Sequence, residues 1–228
     1  LTGVRPVKLL RRLAEESNEE QAVKKFEKDF FVSNEKIALS RETEHNERKI
    51  LELSKPESFS LYVGIPFCPS RCSYCSFVMA SIERAEKLIE PYTKLLCEEI
   101  KRTAEIANKL GLRLETVYFG GGTPTTLSAE QLDTVLGTVN KSFDMSTCRE
   151  FTVEAGRPDT IDIAKLFALK ENKVDRISIN PQTVNDEVLK TIGRKHTAQQ
   201  FFDAFELARK CGFDNINTDL IAGLPTDT

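Results

Sequence analysis

Tyr62–Phe77 reads YVGIPFCPSRCSYCSF, an apolar run, a proline-flanked turn and then three cysteines crowded into one short loop. The chain has six cysteines, Cys68, Cys72, Cys75, Cys97, Cys148 and Cys211, and only the first three cluster. Their spacing is Cys68-x3-Cys72-x2-Cys75. A structural zinc site normally adds a fourth Cys or His, often as a second close pair, and here only His45 and His196 could be recruited, both from afar. A redox dithiol needs two cysteines at C-x-x-C, which Cys72 and Cys75 supply while leaving Cys68 unexplained. A [4Fe–4S] cube held by three thiolates accounts for the count and leaves one iron open to a small molecule. Without a secretion signal, thiols are expected to stay reduced, which favours metal ligation over disulfides.

Outward from that loop, short runs rich in β-branched or aromatic residues alternate with helical patterns. FSLYVGI (59–65), ETVYFG (115–120), EFTVEA (150–155), DRISIN (175–180) and INTDLIAG (216–223) read as strands. The clearest helix runs from Pro91 to Leu110, with Pro91 in its first turn, Leu96, Ile100, Ala104 and Ala107 in one stripe, and Gly111 as its stop. Others cover about 128–140, 160–170 and 197–210. Five strands in βα alternation imply a parallel α/β sheet, either doubly wound or curled toward a barrel. In both, functional groups belong at the C-terminal strand ends. The cysteines follow the first strand and GGGTP (Gly120–Pro124) the second; Glu154 closes the third, Gln182 follows the fourth, and Asp219 lies in the fifth. All are expected on one face.

Before Pro56 the texture differs. Residues 7–54 are highly charged, with Leu9, Leu10, Leu13, Val23, Phe26, Phe30, Ile50 and Leu51 at helical intervals, which predicts helices outside the main core. A domain division of 1–58 and 59–228 follows. The net charge of −3 comes from interspersed charges without a basic block, which argues against a nucleic-acid partner. No apolar run approaches the roughly 20 residues of a membrane helix, so a cytoplasmic protein is expected. The chain begins on Leu1 and stops within AGLPTDT, and it reads as a stretch of a longer protein.

C-x3-C-x2-C after one strand and a glycine triplet after the next resemble the radical S-adenosylmethionine (SAM) superfamily. YVGIPFCPSRCSYCSF, VYFGGGTPTTL, FTVEA, RISINPQTVNDEVLKTIGRKHT and INTDLIAGLP further resemble the oxygen-independent coproporphyrinogen III oxidases (coproporphyrinogen dehydrogenases) and their heme-chaperone relatives. The GVRP segment (3–6) and long N-terminal extension are most similar to an oxidase-like branch. The resemblance implies a partial (β/α)6 radical SAM barrel, here its first five strands after a helical segment. It implies that Cys68, Cys72 and Cys75 ligate the cluster, that Tyr62 and Gly121 line a first SAM site, and that Glu154 bonds that SAM. A second SAM would be met by Tyr74, Gly122, Thr123, Gln182, Arg194 and Asp219.

The implied activity is oxidative decarboxylation of coproporphyrinogen III propionates to vinyl groups in heme biosynthesis. Its electron donor would be a flavodoxin or ferredoxin. Arg71, Arg157 and Arg194 are candidate partners for the acidic porphyrinogen, and His196 is either a proton donor or a solvent-contacting loop residue. Two departures stand out: Gly64 replaces a histidine common in the family, and Phe77 replaces a fourth cysteine of the oxidases. An aromatic at the latter position is shared with heme chaperones, so heme binding and delivery without decarboxylation is the alternative reading.

Overall fold

A computed structural model describes residues 5–77 and 79–227. Gly3 and Val4 of the GVRP segment and Thr228 fall outside the described residues. The chain divides into two compact units, residues 1–56 and 57–228.

The first unit contains helices α1 (Pro6–Glu16), α2 (Glu19–Lys28) and α3 (Asn34–Leu51). Asn18 caps α2 by accepting from the Gln21 amide at 2.9 Å, and Glu19 and Glu20 in the first turn with Lys25 and Lys28 in the last suit the helix dipole. Leu10, Leu13, Ala22, Phe26, Val32 and Ile37 form a core of their own. Arg11 bridges to Glu44 at 3.0 Å and Glu47 at 2.7 Å, tying α1 to α3. Ile50 and Leu51, expected among the apolar stripe, are instead exposed at the end of α3.

In the second unit, β1 (Ser58–Ile65) runs into β2 (Phe67–Cys68), which pairs with β3 (Ala80–Ser81). There follow α4 (Ile82–Lys109), β4 (Arg113–Gly121), α5 (Ala129–Ser142), β5 (Glu150–Glu154), α6 (Ile163–Glu171) and β6 (Arg176–Ser178). The last elements are α7 (Asp186–Thr191), α8 (Ala198–Lys210) and β7 (Asn215–Asn217). The sheet order is β1-β4-β5-β6-β7 and every pair is parallel. Each strand therefore joins the edge left by its predecessor. A doubly wound sheet would reverse at a switch point, so the order selects the barrel-type winding.

Buried residues from the strands (Val63, Ile65, Val117, Phe119, Phe151, Val153, Ile177) meet those from the helices (Leu96, Ile100, Leu132, Leu136, Leu166, Leu169, Phe201) in one core. Helix starts are locally specified: Ser128 and Gln131 form a capping box before α5, as do Thr197 and Gln200 before α8, while Asp162 caps α6. Gly111, at φ +65°, ends α4 as expected.

Three differences from the sequence reading bear on the site and its frame. α4 begins at Ile82, not at Pro91, which lies inside the helix. An interior proline removes one backbone hydrogen bond, but Pro91 and Lys87, whose carbonyl loses its partner, are both exposed to water. The fifth strand ends at Asn217, so Asp219 lies beyond it, with a single bridge from Gln182 to Leu220 continuing the pairing. A short helix, α7, occupies part of what read as loop after β6.

The β1–β4 register places Gly64 opposite Gly120 and Ile65 opposite Gly121. A Cβ on Gly64 would meet only the Tyr62 ring at 3.6 Å, whereas one on Gly122 would lie 2.5 Å from the Phe67 carbonyl oxygen. Gly122→Ala should therefore cost about 1–3 kcal/mol through forced backbone separation. Gly64→Ala should stay within about 1 kcal/mol of the unaltered protein. Urea unfolding of both variants checks the contrast, and equal losses would refute it.

Candidate functional site

The carboxyl ends of the parallel strands carry the site. β1 passes through Pro66 into β2, and Ala80 donates its amide back to Pro66 at 2.9 Å, closing the cysteine loop. Within the loop the Cys75 amide donates to the Cys72 carbonyl at 3.1 Å. From the side, the turn after α7 holds it: Ser73 donates its amide to Ile192 at 3.0 Å and Ser70 its hydroxyl to the Gly193 carbonyl at 2.8 Å. Gly193 sits at φ +80°, and a Cβ there would approach the Arg71 carbonyl to 2.9 Å. Backbone thus packs directly on backbone.

The glycine loop after β4 docks against the same segment. Gly122 donates its amide to Ile65 and Thr123 to Phe67, both at 2.7 Å. The Thr123 hydroxyl, almost fully buried, lies 3.4 Å from the Cys68 sulfur. Burial pushes the Cys68 thiol up, opposed by that hydroxyl and by the positive charge of Arg157.

A cavity of about 200 Å³ gathers Cys68, Cys72 and Cys75. Tyr74, Gly121, Gly122, Thr123, Glu154, Gln182, Arg194 and Asp219 line it as well, from loops that are far apart in sequence. Tyr62 does not. Its side chain is mostly exposed and stacks on Tyr118, with ring centroids 5.9 Å apart, on the flank of the strand ends. Met79, Gly156 and Asn180 also line the cavity and were missed in the sequence. For Asn180 a signal existed, its place at the C-terminal end of the DRISIN run; Met79 carries none.

Glu154 accepts a hydrogen bond from the Tyr118 hydroxyl at 2.5 Å. Burial pushes its carboxyl up, the Tyr118 bond pulls it down, and the charge of Asp219 pushes it up. Arg194 is buried, donating to the carbonyls of Asn180 at 2.6 Å and Gly156 at 3.3 Å and to the Tyr74 hydroxyl at 3.2 Å. Gln182, also buried, adopts φ +69° and exchanges backbone bonds with Asp219 and Ile221. The Asp219 carboxylate accepts from Asn217 at 2.9 Å.

Two residues differ sharply from expectation. Arg157 is only 3% exposed and turns toward the cysteine loop, donating to the Cys72 sulfur at 3.4 Å and to the Ser70 hydroxyl at 2.9 Å, so it is no surface partner for an acidic substrate. Arg71 does remain exposed. His196 is buried rather than solvent-contacting; burial, then the charge of Arg194, pushes it down to about 4, which leaves it neutral near pH 7 and unsuited to donate a proton there. The isolated cysteines have packing roles: Cys97 lies in the core, Cys148 donates to the Glu150 carbonyl at 3.4 Å, and Cys211 caps α8.

Among the described residues, no three His, Cys, Asp or Glu side chains converge as a single metal ion would require. Three thiols from one short loop that share one cavity suit a larger, sulfur-ligated iron–sulfur cube, whose irons each take one thiolate. The residues present therefore fit a [4Fe–4S] group.

Residues 62–228 match the radical SAM superfamily. The oxygen-independent coproporphyrinogen-III oxidase-like protein HemZ of Bacillus subtilis is 41% identical over 99% of this chain and 46% of its own length. The heme chaperone HemW of Lactococcus lactis is 42% identical over 77% of this chain and 44% of its own length. The solved structure of coproporphyrinogen III oxidase HemN from Escherichia coli, a radical SAM enzyme, aligns with a TM-score of 0.67 and 28% identity, covering 80% of this chain and 42% of that one. The chain spans less than half the length of each. The parallel five-stranded sheet is thus part of a radical SAM barrel, the superfamily implies a [4Fe–4S] cluster and SAM, and the chain belongs to the radical SAM superfamily.

Proposed function

We propose that this chain is the cluster-bearing part of a cytoplasmic radical SAM oxidoreductase that decarboxylates coproporphyrinogen III propionates to vinyl groups in heme biosynthesis. The single observation behind this reading is the convergence of Cys68, Cys72 and Cys75 with the glycine loop and Glu154 on one cavity. In this reading residues 59–228 are the N-terminal part of the barrel and 1–58 an appended helical domain. The three cysteines hold the cluster. When bound, the cluster and SAM supply a 5′-deoxyadenosyl radical.

Glu154 offers a carboxylate to the SAM ammonium or ribose hydroxyls, and Tyr118 fixes that carboxylate from behind. Gly121, at φ +100°, presents bare backbone at the same wall, with Tyr62 at its flank. A second SAM would meet Tyr74, Gly122, Thr123, Gln182, Arg194 and Asp219. Arg194 donates through Nη1 and Nη2 to Gly156, Asn180 and Tyr74, and its buried Nε has no partner, so a donor remains for a ligand at that site. Arg71 is the exposed cation available to a substrate carboxylate. A flavodoxin or ferredoxin is the proposed electron donor.

One observation favours heme delivery instead. Phe77, at the position of the oxidases' fourth cysteine, lines the cavity with a largely exposed ring, which suits apolar contact and offers no thiol. Anaerobic incubation of the full-length protein with reductant, SAM and coproporphyrinogen III separates the two. Vinyl product with carbon dioxide is expected; stoichiometric heme binding without vinyl product would establish the delivery role.

The Glu154 carboxylate also makes SAM affinity depend on pH. Its raised folded pKa means that the charged form is lost as pH falls, so affinity should drop on the acid side. Tyr118→Phe removes the bond that lowers this pKa and should move the drop to higher pH. Glu154→Ala should weaken SAM binding by about 1.5–3 kcal/mol and abolish the pH dependence. Calorimetric titration of SAM between pH 5 and 8 (about the stable range) tests this, and an unshifted profile in Tyr118→Phe would refute the coupling.

A further inference from the structure

Arg157 is placed by its backbone before its side chain is considered. Pro158 opens a 3₁₀ turn over Pro158–Thr160, and both the amide and the hydroxyl of Thr160 donate to the Arg157 carbonyl, at 2.9 and 2.8 Å. The turn directly follows β5, which fixes where the side chain starts. From there the guanidinium reaches across to the cysteine loop with two of its nitrogens and keeps the third on its own turn. Nη1 donates to Cys72 Sγ at 3.4 Å, Nη2 to Ser70 Oγ at 2.9 Å and Nε to Asp159 Oδ1 at 3.3 Å.

A guanidinium that is 3% exposed is costly to bury unless anions surround it. Asp159 supplies one. The other acceptor of possible negative charge is the Cys72 sulfur, itself buried, and a cysteine ligating iron is a thiolate by necessity.

We propose that Arg157 is a positioning residue for the iron–sulfur cluster, holding Cys72 as the thiolate ligand and raising the cluster's reduction potential. The proposal rests on the reading of Cys68, Cys72 and Cys75 as cluster ligands. Reduction adds one electron from an external reductant and makes the three-thiolate cluster one unit more negative. A fixed neighbouring cation stabilises that reduced form more than the oxidised one, and hydrogen bonds to the sulfurs act in the same direction. A residue that merely braced the loop would change stability and leave the potential alone.

The test is an EPR-monitored redox titration, with dithionite as reductant, of the full-length protein reconstituted anaerobically with iron and sulfide. In Arg157→Gln the reduced-to-oxidised ratio at fixed potential should fall at least tenfold, about 59 mV for one electron. Arg157→Lys keeps the charge and should recover part of the shift. An unchanged potential in Arg157→Gln overturns the proposal. Pulsed EPR on the unaltered protein, grown with arginine ¹⁵N-labelled in the guanidinium, keeps the test valid if Arg157→Gln does not fold. A ¹⁵N coupling to the reduced cluster, absent in Arg157→Lys, is expected, and its absence in the unaltered protein overturns the contact. Failure of the unaltered protein to take up a cluster overturns the ligand reading itself, an outcome distinct from a cluster whose potential ignores Arg157.

Discussion

Two backbone hydrogen bonds hold the site together: the amides of Gly122 and Thr123 donate at 2.7 Å to the carbonyls of Ile65 and Phe67. They continue the β1–β4 ladder beyond its last paired residues and carry it into the two loops. The cysteine segment leaves β1 along this contact, and Cys68 lies beside the Thr123 hydroxyl. The separation tolerates no side chain at Gly122. A glycine there is a packing requirement first, and its availability to a ligand follows from the same bareness.

The surroundings of the cysteine loop combine two buried arginines with a neutral histidine, and the balance among them is electrostatic. Arg157 faces sulfur and Asp159, whereas Arg194 faces carbonyl dipoles and a phenol. Backbone carbonyls solvate a guanidinium without neutralising it, so Arg194 keeps its full charge within the cavity wall. Tyr74, which accepts its bond, is pushed up to about 12, chiefly by burial and against the pull of Arg194, and remains a neutral phenol. His196 nearby cannot add a third cation at neutral pH, since burial already disfavours its charged form. Of these groups only the Arg157 guanidinium donates directly to a cysteine sulfur, Cys72 at 3.4 Å.

Much of this was legible in the sequence because it is local. Strand-to-loop order placed the cysteines, the glycine triplet, Glu154 and Gln182 at one end of the sheet, and β-branched or aromatic runs and helical stripes located most elements within a few residues. The errors arose where local signals were outweighed. Pro91 reads as a helix start, yet α4 continues through it since the lost bond faces water. INTDLIAG has strand-like composition over eight residues, but β6 offers only Arg176–Ser178 as a partner, and pairing ends at Asn217 apart from one bridge. Strand length is set by the neighbour as much as by propensity.

Side-chain direction is the information that sequence lacks most. Arg71, Arg157 and Arg194 look equivalent as basic residues on loops, and the structure gives each a different environment: water, sulfur, and carbonyls. The distinction follows from how the attached backbone is fixed. Arg157 precedes a proline-started turn whose threonine grips its carbonyl, leaving the side chain to point across the strand ends. Arg194 follows Gly193, whose positive φ lets the turn press against the Arg71 carbonyl and swings the next residue inward. Arg71 itself contributes its carbonyl to that contact, and its side chain is left outside. The same glycine contact therefore directs one arginine into the site and leaves another at its surface, a division that only tertiary packing between the α7 turn and the cysteine loop can impose.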